Sequence, residues 1–308
     1  MPRSVLDKPF FQNDIAAYAK LESIIWPNGP VCVHCGDTAR IGLMKGNATR
    51  PGLYKCYACR KQFRATVGTI FEASHIPMHL WMQAIYLMVS SKKGVSTHQM
   101  HRAMGVTLKS AWFMTMRIRE AMKTNDTDKL GGNSMTVEAD ETYLGPKAAN
   151  RAYKPVAEKQ SIMALVERDG RVRSFHVPNV TANNLRPIIA KHVHTDTRFQ
   201  SDESGIYTHI GWNFESHGIV THSKKEYVRG PDYTNTVEGF FSIVKRGVYG
   251  IYQHVSEAHL HRYLAEYDFR YSYRVKTGYD DMARMDKALA GIVGRRLTYR
   301  SVGEVGAA

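Results

Sequence analysis

The sequence predicts a mixed α/β domain preceded by a small metal-held ribbon and a helical module. Three observations predict it. All four cysteines fall in one short stretch, as two Cys-x-x-Cys pairs. From Ile76 to Lys123 apolar residues recur at helical spacing, and from Met135 onward short alternating or apolar runs are interleaved with helical ones. A switch from period 3.6 to period 2 marks a change of architecture, and strands mixed with helices imply a sheet with helices packed on it.

The first element is the ribbon, expected over residues 1–70. Cys32-x-x-Cys35 and Cys56-x-x-Cys59 are separated by Gly36 to Lys55, a 20-residue span. Each pair on a tight turn offers two thiolates, and two pairs at this separation predict a tetrahedral Zn2+ site. A disulfide framework is the alternative, and it requires an oxidising compartment for which the sequence gives no sign. Tyr54 to Phe63 and the glycines around it suit short strands. Lys55, Arg60, Lys61 and Arg64 make the second knuckle basic, which suits a phosphate backbone.

The helical module is expected over residues 71–130. Ile76 to Ser90 reads as a helix with Pro77 in its first turn and Leu80, Ala84, Leu87 and Met88 on one face. Ser96 with Gln99 has capping-box spacing for a short helix ending at Met104, and Gly105 suits the turn. Thr107 caps a second helix, Leu108 to Lys123, with Ala111, Met114, Ile118 and Met122 inward and Lys109, Arg117 and Arg119 turned away from them. The pattern is that of a helix-turn-helix, whose second helix enters the major groove of DNA. Lys123 to Ser134, rich in Asn, Asp, Thr and Gly, reads as a linker.

The α/β domain is expected over 131–275, with 276–308 as a C-terminal tail. Strands are predicted at Met135–Leu144, Ser161–Glu167 and Arg171–Val177, with Arg168-Asp169-Gly170 as a hairpin turn. A helix follows at Ala182–His192. A fourth strand ends at Asp202, and a fifth lies near His217 to His222. The last helix opens at Asn235, an N-cap residue with Glu238 three residues on. Val237, Phe240, Phe241 and Val244 form its apolar face. Glu238 and Lys245 are seven apart, so they share one side, roughly 10 Å apart along the axis.

Lys and Arg number 42 against 28 Asp and Glu, a net charge of +14. Such an excess points to a polyanionic partner, usually nucleic acid. The longest apolar run, Leu80 to Val89, is too short to span a bilayer, and Met1 to Leu21 lacks the apolar stretch of a signal peptide. A soluble, cytoplasmic protein is expected, with double-stranded DNA as partner and no membrane.

The chemistry is expected at the carboxylates. If the strands holding Asp140 and Asp202 are adjacent, the two side chains meet at one edge of the sheet and repel unless a divalent cation lies between them. Oxygen ligands with open positions suit Mg2+ or Mn2+, and two such ions can activate a hydroxyl and stabilise the leaving oxygen of a phosphodiester. Glu238, on the following helix, is well placed as third ligand. Glu138, Glu141 and Glu203 are neighbouring competitors, although Glu141 faces away from Asp140 in a strand.

The blocks Glu138-Ala139-Asp140-Glu141-Thr142-Tyr143, Ser201-Asp202-Glu203 and Thr234-Asn235-Thr236-Val237-Glu238-Gly239-Phe240-Phe241, with Lys245-Arg246-Gly247 behind them, resemble those of bacterial insertion-sequence transposases of the DDE superfamily. The branch concerned has an N-terminal zinc ribbon and an Asp-Asp-Asn/Glu-Lys signature. The resemblance extends from about Pro9 to Arg274. It implies a ribonuclease-H-like catalytic domain, metal held by Asp140 and Asp202, a third ligand at Glu238 or Asn235, and Lys245 at a phosphate. It also implies binding of element ends and target DNA, DNA nicking and strand transfer, and a homo-oligomer that bridges two ends. The rival from another class is a zinc-dependent DNA-binding regulator with an inactive ribonuclease-H-like domain, and a nuclease that cuts without joining is a third.

Overall fold

The computed structural model describes residues 4–46, 48–124, 127–145, 158–224, 226 and 228–298. Asn125 and Asp126 of the expected linker and residues 299–308 of the expected tail lie outside them. The chain forms two compact units: one holds residues 1–91, 95–122 and 281–308, the other 92–94 and 123–280. No helix among the described residues is long and apolar enough to cross a membrane.

The first unit opens on α1 (Asp14–Ile25), capped by the Asn13 side chain on the Ala16 amide at 2.9 Å. A three-stranded antiparallel ribbon follows, β1 (Ile41–Leu43), β2 (Tyr54–Cys56) and β3 (Gln62–Phe63). Its core is small: Cys32, Cys56 and Phe63, with Trp26 and Tyr54 against them. Then come α2 (Met78–Ser90), α3 (Thr97–Met104) and α4 (Leu108–Met122). Ser96 accepts the Gln99 amide, Gly105 takes the left-handed turn at φ 64°, and Thr107 accepts the Ser110 amide.

Two expectations for these helices need correction. The deeply buried face of α2 is Trp81, Ala84, Ile85 and Met88, while Leu80 and Leu87 are only half-buried. Arg117 and Arg119 are not outward-facing. Both are buried, and the Arg117 guanidinium donates to the carbonyls of Ile70 (2.7 Å) and Glu72 (2.9 Å) while lying over the Phe113 ring. A long Arg stem packs as apolar surface, and its fork satisfies carbonyls that a loop leaves without partners. The exposed residues of α4 are Leu108 and Lys109 in its first turn, with Ser110, Trp112, Phe113 and Glu120 half-buried.

The second unit is built on a five-stranded mixed sheet. Its strands are β4 (Thr136–Leu144), β5 (Gln160–Glu167), β6 (Val172–Val177), β7 (Arg198–Asp202) and β8 (Ser216–Val220), in spatial order β6-β5-β4-β7-β8. β4, β5 and β6 form an antiparallel meander, and β7 and β8 run parallel to β4. Helices α5 (Ala182–His192) and α6 (Gly205–Gly211) cover one face, where Val137, Ala139, Met163 and Phe199 meet Leu185, Ile189, Tyr207 and Ile210. A short hairpin, β9 (Val228–Arg229) and β10 (Asp232–Tyr233), leads into α7 (Asn235–Gly247) and α8 (Glu257–Ser272). Those two helices cover the other face through Val237, Phe240, Phe241, Leu260 and Leu264. The final helix, α9 (Asp281–Ala290), belongs to the first unit.

Two stability predictions arise here. Gly218 of β8 lies under β10, and a Cβ there would run into the Asp232 carboxylate and the Gln200 amide. Gly218→Ala is therefore expected to destabilise the protein by about 1–3 kcal/mol, an overpacking cost, read as a lower denaturant midpoint. Asp268 of α8 is half-buried and accepts the Ser174 amide (2.9 Å) and hydroxyl (2.6 Å) of β6. Burial pushes its carboxyl up to about 7, against the pull of Ser174 and Arg173. The folded chain thus holds a proton that the unfolded chain releases near pH 4. Stability from this group is complete below about pH 4 and falls as pH rises towards 7, by at most about 1.4 kcal/mol per unit. Relative to wild type, Asp268→Asn should gain stability across that window, checked by unfolding midpoints at pH 4, 5.5 and 7.

Candidate active site

β4 and β7 are neighbours, as the carboxylate argument requires. Their parallel register pairs Thr136 with Arg198, Val137 with Phe199 and Glu138 with Gln200. Pairing ends there, and Asp140 and Asp202 each stand two residues beyond the last pair. Register partners in parallel strands share a face, so both carboxylates lie on the α7 side with Glu138 and Gln200. They lie on the third and fourth strands of five, inside the sheet rather than on an edge strand. Each is held locally: Asp140 Oδ1 accepts the Glu141 amide (2.7 Å), and Asp202 Oδ1 accepts the Ser204 amide (3.0 Å) ahead of α6.

Glu141 points to the other face, as strand alternation demands, and accepts a bond from the Tyr207 hydroxyl. Burial lifts its carboxyl to about 7, and the charges of Asp140 and Asp202 push the same way. Tyr207 is raised well above its ordinary value by burial, then by the Glu141 carboxylate it donates to, and less by Asp140 and Asp202. Burial is the main cause in both groups, and the charges of Asp140 and Asp202 add to it. The donors are all oxygen, and a hard divalent cation suits them. Tyr207 carried no signal in the sequence, because its role comes from α6 folding back on β4.

Helix α7 begins at Asn235 as expected, but its cap is different. Thr234 is the N-cap residue and supplies no side-chain cap, and Asn235 is the first helical residue. The Asn235–Glu238 capping box is therefore not formed. The cap comes instead from Glu138 of β4, whose Oε2 accepts the Thr236 (2.8 Å) and Val237 (3.0 Å) amides. A carboxylate at a helix N-terminus satisfies orphan donors and complements the helix dipole. Asn235 and Glu238 are left exposed on the first turn, and Lys245 lies half-buried in the last.

The four cysteines of the ribbon come together. All four Sγ atoms lie within 4.8 Å of one another, with Cys32–Cys59 and Cys35–Cys56 each at 3.7 Å, and none is in a disulfide. A tetrahedron with Zn–S bonds of about 2.3 Å has edges of about 3.8 Å, so the cluster is the right size for zinc. Among the described residues it is the one set of three or more His, Cys, Asp or Glu ligand atoms gathered that tightly. Asp140, Asp202 and Glu238 share a face but are not drawn together to that degree.

Comparison with known proteins follows the same division. Residues 12–62 match the transposase zinc-ribbon domain, and residues 129–272 match the ISXO2-like transposase domain. Over 277 residues, 84% of this chain and 91% of the other, the chain is 23% identical to a protein of Halobacterium salinarum described as an uncharacterized protein in transposable element ISH50. One match falls on the thiol cluster and the other on the sheet that carries Asp140 and Asp202, in that order along the chain. The protein belongs to the insertion-sequence transposases of the DDE superfamily, in the branch with an N-terminal zinc ribbon.

Proposed function

We propose that this transposase binds the terminal inverted repeats of its element and carries out metal-dependent cleavage and strand transfer at Asp140, Asp202 and the first turn of α7. The observation that supports it most is that β4 and β7 are parallel neighbours, with Asp140 and Asp202 each two residues past their last pair on the face covered by the helix carrying Glu238 and Asn235. Asp140 and Asp202 would hold the cation, with Mg2+ or Mn2+ as the fitting ions. Glu238 is the preferred third ligand because it is charged, with Asn235 one turn earlier as the alternative. When bound, a divalent pair supplies an activated water or hydroxyl and neutralises charge on the leaving oxygen.

The chain's own residues do the rest. Lys245, two turns along α7 from Glu238, would hold a phosphate of the cut strand in register with the carboxylates. Glu141 and Tyr207 close the far side of the strand ends with a buried hydrogen bond, which keeps Asp140 and Asp202 seated. End recognition falls to the ribbon (residues 1–70) and the helical module (71–130), through basic side chains such as Lys55 and Lys61 and the exposed first turn of α4. Strand transfer requires two ends in one complex, for which more than one copy of the chain is assigned.

The test is an assay on duplexes carrying the inverted repeats that flank the gene. Mg2+-dependent nicking at the repeat, followed by joining of the freed 3′ end to a second duplex, is the expected result. Binding of the ends with no cutting in Mg2+ or Mn2+ would replace this reading with that of a DNA-binding regulator, and cutting without joined product would leave a nuclease.

A further inference from the structure

We infer that Glu138 is a positioning residue of this centre: its grip on the first amides of α7 sets where Asn235 and Glu238 stand relative to Asp140 and Asp202. The inference rests on the metal-dependent reading proposed above.

Glu138 is fully buried, and its carboxylate has four partners. Oε1 takes the Arg168 Nε (2.6 Å) and the Thr236 hydroxyl (2.8 Å), and Oε2 takes the Thr236 and Val237 amides. A carboxylate has about four acceptor sites, so these partners use its capacity, and Glu138 is not a competitor for the cation. A buried ion pair is a weak way to stabilise a fold, since well-packed apolar residues serve as well. The location suggests another purpose. Glu138 sits two residues before Asp140 on the same strand and face, so one stiff segment carries both a proposed ligand and the hook for the helix that carries the third.

The approach to α7 is clamped as well. Arg168, from the β5–β6 turn, donates to the carbonyls of Pro231 (2.8 Å) and Tyr233 (2.8 Å), and its guanidinium lies 3.5 Å from the centre of the Tyr233 ring. Gln200, the register partner of Glu138, donates to Asp232 at 2.9 Å. The segment from Pro231 to Val237 is thus tied to β4, β7 and the β5–β6 turn, although α7 has no side-chain cap of its own. Metal ligands must be held within about 0.5 Å of their working geometry, and outer groups that hold them matter accordingly.

The experiment is a Mn2+ titration of the full-length, zinc-loaded chain without DNA, followed by electron paramagnetic resonance. Wild type is expected to bind, and Asp140→Asn to lose that binding. Glu138→Gln, whose amide nitrogen cannot accept, is expected to bind about tenfold more weakly. Arg168→Lys, which keeps the charge but loses the fork, is expected to shift binding the same way, and it carries the test if Glu138→Gln does not fold. With both first-turn groups removed (Asn235→Ala, Glu238→Gln), adding Glu138→Gln should cost nothing further, because Glu138 acts through them. A further loss in that background would overturn the inference. So would unchanged Mn2+ affinity in both Glu138→Gln and Arg168→Lys while Asp140→Asn abolishes binding, a result that leaves the centre itself standing. Failure of the wild type to bind Mn2+ through Asp140 would remove the centre and the positioning role together.

Discussion

Replacing Asp140 or Asp202 with Asn is expected to abolish strand cleavage and strand joining while leaving end binding and folding intact. The two carboxylates sit on adjacent parallel strands and face α7. An amide keeps the shape and the local bonds of the side chain, since its oxygen can still accept from Glu141 or Ser204, but it removes the charge that would hold a hard cation. Losing one stabilising group in such a centre costs on the order of 10²–10³ in rate, and losing a metal ligand costs at least that. The variants should melt no lower than wild type, because the charge lost is one that pushes Glu141 upward. A gel assay for nicked and joined products, paired with a mobility-shift assay on the same duplex, checks both halves. Full cleavage by Asp140→Asn would end the assignment.

Removing zinc, or replacing Cys56 with Ser, is expected to unfold the ribbon and abolish end binding. Cys56 is fully buried, and the ribbon's buried core consists of two of the thiols and Phe63. Three strands of two or three residues cannot hold themselves together in water. Zinc in such a cluster supplies about 10–16 kcal/mol at neutral pH, more than the stability of most whole domains. Trp26 packs edge-on against Tyr54 and Phe63, so its fluorescence reports the change directly. The second unit has its own sheet and two cores, and its unfolding transition should survive chelation. Retained Trp26 packing and undiminished end affinity after chelation would show that the metal is dispensable.

Much of this centre was legible in the chain. Period-two alternation around Val137-Glu138-Ala139-Asp140-Glu141 placed Asp140 and Glu141 on opposite faces, and the structure agrees. Two Cys-x-x-Cys knuckles at metal spacing identified the ribbon, because short-range spacing controls which thiols can meet. The start of α7 and its apolar face were equally plain. Its cap was misread, since Asn235 with Glu238 fits a local capping box and nothing local announces that a strand nearly a hundred residues upstream supplies the carboxylate instead. Arg117 and Arg119 were misread for a related reason: a charged residue on a helix is exposed by default, and only packing against the Ile70–Glu72 loop offers carbonyls that let Arg117 be buried.

The chain by itself determined what depends on near neighbours: element types, the thiol pairs, the net positive charge, and the candidate acids with their strand faces. Tertiary structure alone decided which of those acids lie on neighbouring strands and on one face of the sheet. β7 docks beside β4 in parallel, in a register that pairs Glu138 with Gln200 two residues ahead of Asp140 and Asp202, and strand order across a long crossover is not encoded by any local period. It also decided that Glu138 grips a helix. A carboxylate's role is set by the partners that surround it, and for Glu138 those partners come from Arg168, Thr236 and Val237, which only the folded sheet brings to one place.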